Sequence, residues 1–76
     1  MILPTKHIPL ERSLLGAGAV LLLFLDAPLT PSAVWDRAKH APEIRTYGRF
    51  VLALDFLYAV GAIDMRDGLV FKREFP

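Results

Sequence analysis

Seventy-six residues make one domain at most, expected to span residues 1–76, and a domain of that size buries only about 60% of the surface its unfolded chain exposes. Against that thin core stand 54% hydrophobic residues and a mean hydropathy of +0.40, so some apolar surface should face a partner, a membrane or a second copy of the chain. A net charge of +1 gives no bulk pull toward nucleic acid or acidic lipid, and the lack of cysteine excludes disulfide staples and thiolate metal sites.

Met1 to Ile8 contains Pro4 and runs into Pro9. Proline removes a ladder donor, so any strand here is an edge strand. A first helix is expected from Pro9 or Leu10 to Leu25. Pro9 suits a first helical position and Glu11 favours the positive helix end. Leu10, Leu14, Ala17, Leu21 and Phe24 form its core stripe, yet Leu15, Leu22 and Leu23 lie on other sides. Gly16 and Gly18 each weaken the helix by about 1 kcal/mol, and such glycines mark close backbone approach. The uncharged run Leu14 to Leu25 is twelve residues, short of the roughly 20 a membrane span needs. As a secretion signal it has Lys6 and Arg12 ahead of it. Glu11 sits beside it, however, and Leu25-Asp26-Ala27-Pro28 offers no small-x-small cleavage site, so a cytoplasmic setting is expected.

Asp26-Ala27-Pro28 ends this helix. Thr30-Pro31 opens a second one, with Thr30 as cap and Pro31 in the first turn, where a missing N–H costs nothing. Val34, Trp35 and Ala38 form its apolar side; Asp36, Arg37, Lys39 and His40 form its wet side; Ala41-Pro42 breaks it. Thr46 caps a third helix, Tyr47 to Val60, stopped at Gly61. Its core face is read as Tyr47, Phe50, Val51, Leu54, Leu57 and Tyr58. The opposite face carries Leu52, Phe56 and Ala59, edged by Arg49 and Asp55.

Ala62 to Met65 and Leu69 to Lys72 read as a hairpin around Asp67-Gly68. A two-residue loop would divide the apolar residues between two faces. A three-residue loop, Arg66-Asp67-Gly68, pairs Met65 with Leu69 and Ile63 with Phe71. It gathers all four against the helices, with Val70 and Lys72 outward and Gly68 at positive φ. The whole is mainly α with a small β-hairpin: three helices plus a wing and an N-terminal edge strand, a winged helix-turn-helix-like plan.

A catalytic reading finds little to work with, and no enzyme activity is expected. Ser13 and Ser32 have no histidine near them in sequence, and His7 and His40 are isolated. Asp26, Asp36 and Asp64 read as caps or surface charges. Gly16-Ala17-Gly18 lacks the third glycine of a dinucleotide fingerprint and lies inside a helix, and no Walker motif exists, so neither cofactor nor metal is expected.

The fold plan raises DNA binding. Arg37, Lys39, Arg45 and Arg49 cluster around the turn between helices two and three, where such folds meet phosphates. The third helix, however, carries no Asn, Gln, Ser or Lys to read base edges. Helices apolar all round are buried all round. The strand and hairpin could cover these two, or a protein interface could. The candidate interface residues are Arg49, Leu52, Asp55 and Phe56 of helix three with Leu15 and Leu22 of helix one.

Several segments carry a family likeness. They are Leu3-Pro4-Thr5-Lys6-His7, Ser13-Leu14-Leu15-Gly16, Val34-Trp35-Asp36, Arg49 through Tyr58, Gly61-Ala62-Ile63 and Gly68-Leu69. Over nearly its whole length the chain resembles the small middle components of ABC-three-component systems, most closely the class numbered six. The segments are packing patterns, so no ligand residues carry over. The resemblance implies a non-catalytic adaptor in a bacterial conflict system acting against phage or plasmids. Its partners would be a large SMC-like ATPase and an effector, often nuclease-like. A homodimer and a small DNA-binding autoregulator remain the competing readings.

Overall fold

The computed structural model describes residues 10–73. The expected N-terminal edge strand lies outside them. Three helices come first, α1 (Leu10–Phe24), α2 (Pro31–Ala38) and α3 (Tyr47–Ala59), followed by an antiparallel hairpin of β1 (Ile63–Arg66) and β2 (Leu69–Lys72). The layout is winged-helix-like.

Local chemistry sets the boundaries. The Thr30 hydroxyl accepts from the Ala33 N–H and the Thr46 hydroxyl from the Arg49 N–H, each at 3.2 Å, so both expected caps form. Pro31 follows its cap directly. Gly61 ends α3 at φ 79, a left-handed stop open to glycine without strain. The α2–α3 turn passes through Arg45 at φ 66, which a non-glycine residue adopts only at a cost.

The core lies where α1 crosses α3, with α2 and the hairpin closing two sides. Ala17 and Leu21 of α1, Val34 and Ala38 of α2, Phe50, Ala53 and Leu57 of α3, with Ile63 and Val70 of the hairpin, are all buried. Each fully buried large apolar side chain contributes about 1.5–3 kcal/mol relative to exposure. Trp35 bridges α2 and α3, its ring 5.2 Å from Tyr47 in an edge-on contact and 5.3 Å from Phe50.

The core face of α3 is narrower than the sequence suggested. Phe50 and Leu57 are buried as expected and Leu54 is half-buried, but Tyr47, Val51 and Tyr58 are exposed. Ala53, between Phe50 and Leu57 on the helix, is fully buried.

The hairpin corrects the expected register. Arg66 pairs with Leu69, Met65 with Val70, Asp64 with Phe71 and Ile63 with Lys72, leaving a two-residue loop. Asp67 at φ 55 and Gly68 at φ 76 give the doubly left-handed turn whose twist matches that of the strands. Gly68 is thus at positive φ as expected, but Met65 faces solvent and Val70 is buried, the reverse of the expectation. Leu69 is exposed and Phe71 only half-buried. The cause is Leu29, between α1 and α2. It pairs with Val70, whose N–H donates to the Leu29 carbonyl at 2.6 Å and whose carbonyl accepts from the Leu29 N–H at 3.0 Å. β2 is therefore flanked on both edges. One face is still the buried one, carrying Ile63 and Val70, while Leu69 and Phe71 lie on the other with Asp64 and Arg66.

Candidate functional site

Exposed apolar side chains gather where α1 and α3 meet. The contact is close because Gly18 carries no side chain: a Cβ placed there would stand 3.0 Å from Leu57 Cδ2 and 3.6 Å from Phe56 Cδ2. Phe56 therefore leans over α1 beside Gly18 and is half-buried. Leu15 and Leu22 lie three residues before and four residues after Gly18, which places them on the same side of α1. Leu52 lies one turn before Phe56 on α3. Leu15 is 58% and Leu52 50% exposed, whereas Leu22 packs against the core. The four apolar candidates thus belong to the two helices that meet at Gly18, Leu15 and Leu52 exposed, Phe56 and Leu22 half-buried. Leu23, 78% exposed, and Val60, 57% exposed, were not among the candidates. An all-apolar helix gives no sequence signal for which of its sides stays wet.

The two charged candidates part company. Arg49 is turned inward. Its Nε donates to the Glu43 carbonyl at 2.6 Å, and its Nη2 donates to the Ser13 carbonyl at 3.2 Å and to the Ser13 hydroxyl. One guanidinium thereby ties the α2–α3 turn and α3 to the start of α1. The Arg49 guanidinium, expected at the edge of the interface face, thus has partners within the fold. Asp55 is exposed and points to the hairpin side of α3, where it lines a cleft with Asp64 and Met65.

The basic residues suggested for phosphate contact are largely engaged within the chain. Arg37 donates through Nη1 to the Phe24 carbonyl at 3.1 Å and to Asp26 at 3.2 Å, closing the C-terminal end of α1. Lys39 pairs with Asp36 at 3.4 Å. The Arg45 side chain is exposed, with no hydrogen bond or ion pair among the described residues. Two exposed ion pairs contribute little to stability, but each holds a cation beside a carboxylate and lowers the local positive potential. Among the described residues no three His, Asp or Glu side chains come together as a metal site, and no helix is long and apolar enough to cross a membrane.

An exposed apolar seam on a winged-helix-like frame, with its nearest arginine turned inward, has the makings of a subunit surface. The family model for the ABC-three component (ABC-3C) system Middle Component 6 matches residues 3–74. The chain belongs to this family. It is therefore a component of an ABC-three-component system and works alongside other components. No curated protein and no solved structure matches the chain. The family resemblance read from the packing segments is thus confirmed.

Proposed function

We propose that this middle component is a non-catalytic adaptor that joins the ATPase of its system to the effector through the α1–α3 seam, in defence against phage or plasmids. The supporting observation is the seam itself: Leu15 and Leu52 exposed on the two helices that meet at Gly18, with Phe56 half-buried there. An apolar centre that excludes water is where interface energy concentrates. A chain of 76 residues with a thin core has no reason of its own stability to leave leucines there.

The test is co-expression with the ATPase and effector of the same system, followed by affinity purification. Phe56 also supports the fold, so the informative variant is Leu15→Lys with Leu52→Lys, which alters exposed positions only. It should keep the helical circular-dichroism spectrum and lose both partners or the one that binds the seam. Partner binding at wild-type affinity would dismiss the seam. A wild-type chain that sediments as a dimer, with the variant a monomer, would assign the seam to self-association instead.

A further inference from the structure

A second surface lies on the other side of α3. Between α3 and the hairpin is a cleft of ≈ 110 Å³. Half-buried Leu54 and buried Val70 line it, with Tyr58, 54% exposed, and Met65, 46% exposed, at its mouth. Among the described residues the charged ones lining it are both acidic, Asp55 from α3 and Asp64 from β1. The ion pairs among the described residues, Arg37–Asp26 and Lys39–Asp36, involve neither.

We infer that this cleft seats one cationic side chain, arginine or lysine, from a partner polypeptide. Three features carry the inference. The carboxylates approach from two different elements, so a cation between them meets negative charge on both sides. The Asp64 carboxylate is already held, because its Oδ1 accepts the Met65 N–H at 2.8 Å, which lowers the ordering cost of binding. The methylene stem of a long cation can lie along Leu54 and Met65, with the Tyr58 ring offering its face to the charge.

Other occupants fit less well. Nucleic acid would bring phosphates against two carboxylates. A small-molecule site needs about 300–1,000 Å³. Addition of a strand to the free edge of β1 is hindered, since the Asp64 carboxylate already takes the Met65 N–H.

The inference gives the partner chemistry of the adaptor reading and rests on it, but it can be tested apart from it. The full chain, isotope-labelled, is titrated with a capped leucine–arginine–leucine peptide and with the same peptide carrying citrulline, which keeps the shape and loses the charge. Saturable amide shifts should appear at Leu54, Tyr58, Asp64 and Met65 with arginine and be absent with citrulline. Asp55→Asn with Asp64→Asn keeps an oxygen acceptor for the Met65 N–H and removes both charges, and it should weaken the peptide by about tenfold or more. Leu15→Lys with Leu52→Lys should bind the peptide like wild type, so failure of the seam and failure of the cleft are separately visible. Equal shifts with citrulline, no saturable shift at millimolar peptide, or wild-type affinity in the Asn variant would each overturn the inference. So would shifts at the same amides with a DNA duplex in place of the peptide.

Discussion

Two glycines on one helix give a direct measure of how firmly the α1–α3 seam is built. Glycine inside a helix costs about 1 kcal/mol relative to alanine. At Gly16 nothing lies within 4 Å of an added Cβ, so Gly16→Ala collects that gain in full. At Gly18 the new methyl would sit 3.0 Å from Leu57 Cδ2 and 3.4 Å from its Cγ. Leu57 is 3% exposed and enclosed by the core, so it cannot swing away. Overpacking of this kind costs about 1–3 kcal/mol, which outweighs the propensity gain by about 1 kcal/mol. In a domain of this size 1 kcal/mol moves the midpoint by about 4–8 °C, so Gly16→Ala should raise Tm by that much and Gly18→Ala lower it by a similar amount. Thermal and urea unfolding of the full chain, followed by circular dichroism, would read both. If Gly18→Ala stabilised as much as Gly16→Ala, the helices would not be in tight contact, and Phe56 would not be held at the seam.

Arg49→Ala should destabilise the fold by about 2 kcal/mol, since charge-assisted bonds to Glu43 and Ser13 are lost at a partly buried site, and Arg49→Lys should recover less than half, because an ammonium cannot span both partners; urea midpoints check this. In the hairpin, Gly68→Ala should cost about 1–2 kcal/mol at φ 76, while Asp67→Asn should be neutral or gain a few tenths, and a loss at Asp67→Asn would contradict the doubly left-handed turn. The isolated chain should show no sequence-selective DNA footprint; any duplex binding should be weak, fall steeply with salt, and depend more on exposed Arg45 than on paired Arg37 and Lys39.

The helices were legible because their punctuation is chemical. Thr30-Pro31, Thr46 and Gly61 act through one hydrogen bond or one dihedral each, and those are fixed by residue type. Which side of each helix is wet was only partly legible. Periodicity separates faces by contrast, and α3 offers little, since Val51 and the rings of Tyr47 and Tyr58 are apolar like Phe50 and Leu57 yet remain exposed. Leu52 and Leu15 were nevertheless found, because each lies well away from its core stripe. The inward reach of Arg49 was not legible, because a guanidinium at a helix edge looks the same in sequence whether it faces solvent or reaches across to Ser13, thirty-six residues away.

The hairpin failed for a different reason, and that reason bears on function. Alternation does put one face against the helices, the one with Ile63 and Val70, but counting apolar residues per face favoured the register that would bury Leu69 and Phe71. What that count left out is Leu29, which pairs with Val70. It sits in Pro28-Leu29-Thr30-Pro31, where Thr30, preceding a proline, is held extended at ψ 154. A single paired residue is too short for any periodicity to mark, so proline spacing was the one available signal. Its consequence is mechanical. Val70 is bonded to Leu29 on one edge and paired with Met65 on the other, so the hairpin is tied to the α1–α2 connection. The wing is thus not a free flap: the hairpin that lines the cleft through Met65 and Asp64 is tied by Val70 and Leu29 to the helical core.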